Sequence, residues 1–241
     1  MLGQQVLGMM LMVASKWKAV DHGVLSYALG ETFWSLLPHL ALESTDTTGS
    51  DRQKGLAVLK SRLKEYYKTH KTSSKVPMRS FNLRTLKTNK RPKLKAKAGQ
   101  ARRLVDFATS LAREFQGADG DMGLHRHKAM RAFKEVFDLA SQTQLTHQDM
   151  VSWRWNAAVH MFHYASCGFA VYPKFHYALH MPEQVECGGV PRNFWVYSDE
   201  SKNREAKQIW NACSKGWSLA QQVLLRMEYM KAIEAEQAGR K

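Results

Sequence analysis

The sequence predicts a mainly α-helical protein with only a few short extended segments. Long stretches place apolar residues three or four positions apart, which is the spacing of one helix face. Polar loops rich in glycine, serine, threonine and aspartate separate these stretches. The chain has 241 residues, of which 44% are hydrophobic, enough to build a packed core. Extended segments are expected only near Phe81, Phe175 and Phe194.

The first part of the chain predicts three helices. One covers residues 2–20, where straight-chain methionine and leucine are abundant. The second covers 24–42 and is bent or ended by Pro38. The third covers 52–70 after a polar loop. It is expected to bury one apolar face, formed by Leu56, Leu59, Leu63 and either Tyr66 or Tyr67.

The stretch between Met78 and Gly99 is predicted to be irregular. MRSFNLRTLK alternates in polarity and favours a short extended segment through Phe81, Leu83 and Leu86. TNKRPKLKAKAG, which follows, is strongly charged and contains Pro92. We therefore expect it to be exposed.

Helical spacing returns from Gln100 to Phe115 and again from Leu124 to Gln142. Thr146 and Asp149 then have the spacing of a capping box that starts another helix. Gly168 suits the end of that helix. A last helix is predicted from about Glu200 to the C-terminal tail.

The net charge of +15 is concentrated in one segment. From Arg52 to Arg103 there are 18 Lys or Arg and one acid, Glu65, which gives +17; the rest has 18 basic and 20 acidic residues, which gives −2. The predicted organisation is therefore an N-terminal helical segment (1–51), a basic segment (52–103) and a helical domain (104–241). A local basic block attracts polyanions such as the nucleic-acid backbone, although it also fits a solvated loop or an anionic membrane surface.

Cysteine usage and the N-terminus give expectations about location. The three cysteines are widely spaced and include no CxxC pair, which favours a reducing compartment. The apolar run Val6 to Ala14 is too short to span a bilayer, so no membrane partner is expected. We predict an intracellular, nuclear protein.

Several enzyme classes find no support in the motifs. The chain has no G-x-S-x-G, no G-x-x-x-x-G-K-[ST] and no G-x-G-x-x-G. Histidines are the candidate metal ligands, with His160 and His163 three apart and His176 and His180 four apart. No standard zinc spacing is present, so a core role for His160 and hydrogen bonding for His176 and His180 are favoured over a metal site.

The stretch Tyr172 to Lys207 holds the most distinctive residues. Asp199 and Glu200 stand at a predicted helix start, and Lys202 and Lys207 follow on the same helix. Acids at a helix N-terminus are stabilised by the helix dipole and often only cap it. The alternative is a carboxylate that binds a divalent ion, with basic residues holding phosphate.

The same stretch resembles the C-terminal region of transposase-like proteins found in many copies in some protist genomes. The similarity lies in YPKFHYALH, a Gly-Gly turn, and PRNFWVYSDESKNR, preceded by RPKLKAKAGQARRL, and it spans roughly Phe81 to Trp210. The family pattern K-x-H-x-x-x-H corresponds to Lys174, His176 and His180. The family's acidic pair corresponds to Asp199 and Glu200.

The resemblance implies a ribonuclease-H-like enzyme that cuts and joins DNA, in which three carboxylates hold two Mg²⁺ or Mn²⁺ ions. Glu200 would be the third acid and Asp199 the fallback. The first two acids should lie on central strands, but Asp21, Asp46, Asp51 and Asp106 fall in predicted loops or helices. The chain is thus expected to hold the helical insertion and C-terminal part of an incomplete fold, which an oligomer or a second chain would complete.

The leading prediction is a transposase-derived protein that binds nucleic acid, chiefly DNA with little sequence specificity, and has no catalysis or cofactor of its own. The predicted phosphate contacts are Lys87, Lys90, Arg91, Lys93, Lys95, Lys97, Arg102, Arg103, Lys202 and Lys207. One alternative is an active metal-dependent nuclease that uses Glu200. The other is a helical interaction module whose basic segment binds an acidic partner.

Overall fold

A computed structural model of the chain describes residues 24–71, 74–87 and 91–188. The described residues are mainly α-helical, as predicted. Their helices are α1 (Ser26–Ala41), α2 (Asp51–Thr69), α3 (Leu83–Leu86), α4 (Ala98–Arg102), α5 (Val105–Glu114), α6 (Asp121–Ala140), α7 (His147–Ser166), α8 (Pro173–Leu179) and α9 (Met181–Gly188). The predicted helices at 2–20 and after Glu200 lie outside the described residues, as does Phe194.

Helices α1 and α2 form the first packed pair. Helix α1 continues through Pro38 to Ala41, and its buried residues include Leu29, Phe33 and Leu36. Helix α2 begins with a capping box in which Ser50 and Gln53 exchange hydrogen bonds. It buries the predicted face, with Tyr67 rather than Tyr66 completing it: Leu56, Leu59, Leu63 and Tyr67.

A glycine allows these two helices to approach closely. A Cβ at Gly55 of α2 would lie 1.9 Å from the carbonyl oxygen of Leu37 in α1. No side chain fits in that gap, so the glycine is required by backbone contact rather than by its conformation.

The second packed pair is α6 against α7, and α5 joins α6 to the α1–α2 pair. Thr146 caps α7 as predicted: its Oγ1 accepts from the Asp149 N–H at 3.2 Å, and its own N–H donates to the Asp149 carboxylate at 2.8 Å. The helix ends at Ser166, and Gly168 follows with a φ of +75°. That left-handed conformation favours glycine, which explains why the helix ends near Gly168, as predicted.

Two predicted extended segments are wrong. Residues after Phe81 form the short helix α3, because the Asn82 side chain accepts from the Thr85 N–H and closes a helical turn. Phe175 lies inside α8, which begins at Pro173, a residue whose fixed φ suits the first turn. Among the described residues the only β pairing is an isolated bridge between Lys87 and Pro92.

The charged stretch expected to be exposed is partly buried. Residues 91–97, here called the basic loop, cross the start of α1, where the Leu94 N–H donates to the Ser26 carbonyl at 2.8 Å. Leu94 is only 1% exposed. A Cβ at Gly30 of α1 would lie 2.5 Å from the Cα of Lys93, so this glycine lets the basic loop rest directly on the helix.

None of the described helices is long and apolar enough to cross a membrane.

Candidate nucleic-acid interface

The structure describes seven of the ten predicted phosphate-contact residues. They are Lys87, Arg91, Lys93, Lys95, Lys97, Arg102 and Arg103. Lys90, Lys202 and Lys207 lie outside the described residues, as do the predicted catalytic residues Asp199 and Glu200. Five of the seven form two groups with different surroundings, and Lys95 and Lys97 belong to neither.

The first group lies against the outer face of α1. Tyr27, Glu31 and Trp34 follow one another at the spacing of a single helix stripe, and each is half-buried. Gly30 brings the basic loop onto α1 beside this stripe, and basic side chains from outside the loop reach the stripe as well.

Each of these basic side chains lies over an aromatic ring. The Lys93 Nζ is 5.0 Å from the centre of the Tyr27 ring, and the Lys87 Nζ is 4.9 Å from that of Trp34. The guanidinium of Arg52, at the start of α2, lies over the same Trp34 ring at 4.1 Å. These distances are within the range of cation–π attraction.

Tyr172 extends the arrangement from the other end of the chain. Its ring stacks on Tyr27 with 4.3 Å between centroids. Arg91 lies 5.2 Å from the Tyr172 ring and donates to its hydroxyl at 2.7 Å. We call the whole array the cation–aromatic surface; it consists of Tyr27, Trp34, Tyr172, Arg52, Lys87, Arg91 and Lys93.

One acid lies within this surface. Burial raises the pKa of Glu31 to about 7, against the opposing pull of the Arg91 and Lys87 charges. The carboxyl group therefore changes its charge near neutral pH. When protonated, it leaves the four cations of the surface without a negative charge among them.

The second group consists of Arg102 and Arg103, at the junction of α4 and α5. The Arg102 Nη2 donates to the Ser141 Oγ at the end of α6. Both arginines line a cavity that no residue of the cation–aromatic surface reaches. Lys95 and Lys97 are exposed on the basic loop between the two groups, and neither forms an ion pair with a described residue.

Sequence reasoning selected cations and missed their aromatic partners. The predicted site residues do not include Tyr27, Trp34, Tyr172 or Glu31, nor the cation Arg52. The spacing of Tyr27, Glu31 and Trp34 was a usable signal, since it places two aromatic rings and an acid on one stripe of a predicted helix. No signal in the sequence connects Tyr172 with Arg91, which precedes it by 81 positions.

His160 is a core residue, as favoured by the sequence. It is 2% exposed, and its Nδ1 donates to the Ala129 carbonyl at 2.9 Å. Burial lowers the pKa of this imidazole to about 4, so it is neutral. His163, its neighbour on α7, instead hydrogen-bonds to His125, with 2.7 Å between the two Nδ1 atoms.

His176 and His180 also hydrogen-bond to each other. Their Nε2 atoms are 3.0 Å apart, and the Nδ1 of His180 lies 3.1 Å from the Glu183 carboxylate. A carboxylate accepts, so Nδ1 of His180 donates to Glu183. Within the described ranges, no group of three or more His, Cys, Asp or Glu side chains could hold a metal ion. The metal role of His176 and His180 stays a prediction.

Comparison with protein-family models, with curated proteins and with solved structures finds no match to this chain.

Proposed function

We propose that this protein binds nucleic acid through the cation–aromatic surface. The observation that carries the proposal is the placement of Lys87, Arg91 and Lys93 over the rings of Trp34, Tyr172 and Tyr27. Cations neutralise phosphates, and aromatic faces accept stacked bases. A surface in which cations and aromatic rings lie side by side therefore suits nucleic acid, whose phosphates are anionic and whose bases are flat rings.

The chemistry of this surface favours contact without base reading. Lysine and arginine reach phosphates of any sequence, and stacking tolerates every base because each has a π face. Stacking requires bases that are not paired within a duplex. We therefore expect little sequence specificity and tighter binding to single strands than to duplex at equal length.

The direct test is fluorescence anisotropy of labelled single- and double-stranded DNA across a salt series. The surface carries four cations. In a plot of log association constant against log salt concentration, we therefore expect a negative slope of about 3 to 4 in magnitude. Labelled poly-glutamate, titrated directly in the same way, tests the acidic-partner alternative. If poly-glutamate binds and neither DNA does at low salt, nucleic-acid binding is refuted and the interaction module is supported.

The transposase origin is a separate proposal that rests on the sequence resemblance. Its acids, Asp199 and Glu200, lie outside the described residues. An active enzyme would cleave DNA in the presence of Mg²⁺ or Mn²⁺ and lose that activity in Glu200→Gln. A DNA-binding remnant would show no cleavage and would keep its DNA affinity in that variant. A nuclear location is tested separately, since a fluorescently tagged chain would then accumulate in the nucleus.

A further inference from the structure

A second basic site lies between the end of α2, the α4–α5 junction and the last turns of α6. It is a cavity of about 390 Å³, which falls within the size range of small-molecule sites. The charged residues that line it are Lys71, Arg102, Arg103, Lys134, Asp106 and Asp138.

The charges of this cavity favour an anion. Both acids form ion pairs with the same lysine: the Lys134 Nζ lies 3.4 Å from the Asp106 carboxylate and also contacts the Asp138 carboxylate. Lys71 and Arg103 form no ion pair with any described residue, and Arg102 donates to the hydroxyl of Ser141. With four cations against two acids, the lining carries a net charge of +2.

The same cavity has an aromatic wall beside the cations. The rings of Tyr66 and His70, one helical turn apart, stack with 4.2 Å between centroids and an interplanar angle of 19°. Phe137 lines the cavity as well, and the guanidinium of Arg102 lies 5.9 Å from its ring. Aromatic rings and guanidinium groups therefore line the same cavity.

We propose that this cavity binds a nucleotide through its phosphate monoester. The phosphate lies against Arg103 and Lys71, which supply charge-assisted hydrogen bonds, and arginine matches a phosphate with two parallel donors. The base lies against the Tyr66–His70 wall. The ligand is either a free mononucleotide or the 5′-phosphorylated end of a strand. The inference goes beyond the proposed function, because no residue of the cation–aromatic surface lines this cavity.

The test compares two pairs of probes on the full chain. Calorimetry compares adenosine 5′-monophosphate with adenosine, and anisotropy compares a 5′-phosphorylated oligonucleotide with its 5′-hydroxyl twin. We expect the phosphate to strengthen binding about tenfold in at least one pair, the size of one charge-assisted hydrogen bond. A gain with the free mononucleotide identifies a small-molecule site, and a gain with the oligonucleotide alone identifies a strand end.

Matched variants locate the effect in the cavity. Arg103→Gln and Lys71→Gln are expected to remove the preference for the phosphate. Arg113→Gln removes the same charge from an exposed position on α5 outside the cavity. This control variant is expected to keep the preference for the phosphate. Equal affinity within both probe pairs overturns the proposal, as does a preference that survives Arg103→Gln and Lys71→Gln together.

The experiment separates this inference from the proposed function. The combined Lys87→Gln, Arg91→Gln and Lys93→Gln variant is expected to weaken both oligonucleotides equally and to leave the gain from the 5′ phosphate unchanged. The mononucleotide pair can be measured even if the chain has no affinity for the nucleic-acid backbone. Each proposal can therefore be tested even if the other is refuted.

Discussion

At the scale of single residues, His160 shows how burial decides chemistry. Its ring lies between Phe133, at 4.3 Å, and Phe175, at 5.8 Å, both nearly parallel to it. The Nδ1 proton is used by the Ala129 carbonyl, and Nε2 is buried without a hydrogen-bond partner among the described residues. A proton on Nε2 would therefore place a charge in an apolar stack.

This environment predicts a loss of stability in mild acid. The pKa of His160 is about 4 in the folded chain against 6.5 for an unperturbed histidine, so the unfolded chain binds more protons between these values. As pH falls from 6.5 to 4, the free energy of unfolding should drop by about 3 kcal/mol from this residue. Urea denaturation at several pH values should show that His160→Asn lacks this component. Equal pH dependence in the chain and the variant contradicts the assignment.

Comparison with the variant is necessary because Glu31 acts in the opposite direction. Its pKa is raised, so the folded chain binds more protons between 4.5 and about 7, and this group stabilises the fold as pH falls through that window. The difference between the chain and His160→Asn cancels that contribution.

Glu31 itself predicts a pH dependence of nucleic-acid binding. Lowering the pH from 8 to 6 protonates this carboxyl group and removes the one negative charge of the cation–aromatic surface. Affinity for DNA should rise, and Glu31→Gln should bind more tightly at pH 8, with a salt slope steeper by about 1. Anisotropy titrations at pH 6, 7 and 8 measure both effects. Parallel pH profiles for the two chains would exclude Glu31 as the cause.

At the scale of elements, Gly30 controls where the basic loop lies. In Gly30→Ala the new Cβ would meet the Lys93 backbone at 2.5 Å, so the loop must shift. We expect a stability loss of about 1 to 3 kcal/mol, as for other overpacked contacts, and weaker DNA binding because Lys93 leaves Tyr27. The control is Gly99→Ala, which gains the same helix propensity but meets only the Ser74 Oγ, at 3.6 Å. Equal behaviour of the two variants refutes this role.

The cap of α7 gives an independent prediction of element stability. Thr146→Ala removes the acceptor for the Asp149 N–H and breaks the capping box. The expected cost is about 1 kcal/mol in the free energy of unfolding, measured by urea denaturation. DNA affinity should stay unchanged, because the residue belongs to neither basic site. An unaltered unfolding midpoint contradicts the role of the cap.

The sequence predicted correctly those elements in which the spacing of apolar residues, the capping side chains and the tertiary packing all favour the same structure. The buried face of α2 and the cap of α7 follow from spacing and from side-chain chemistry within four residues. The prediction failed between Phe81 and Leu86, where alternation suggested a strand but the Asn82 side chain closes a helical turn. There a local hydrogen bond outweighs the polarity pattern.

At the scale of the whole molecule, the sequence predicted where charge is concentrated but not how it is arranged. A run from Arg52 to Arg103 is visible by counting, and seven of the described cations in it belong to one of the two basic sites. Which ring each cation meets could not be predicted, since the pairs join residues that are far apart in the chain, such as Arg91 and Tyr172. Packing around Gly30 and Leu94 brings them together, and no local pattern encodes that contact.

The measurement that tests the central claim most directly compares two charge-matched variants by anisotropy with labelled single-stranded DNA across a salt series. One replaces Lys87, Arg91 and Lys93 with glutamine; the other replaces Arg113, Lys128 and Arg131, whose charges surround His127. We predict that the first variant loses affinity and about 2 units of salt slope, whereas the second stays close to the unaltered chain. Equal losses in both variants would show that net charge, not the cation–aromatic surface, accounts for binding.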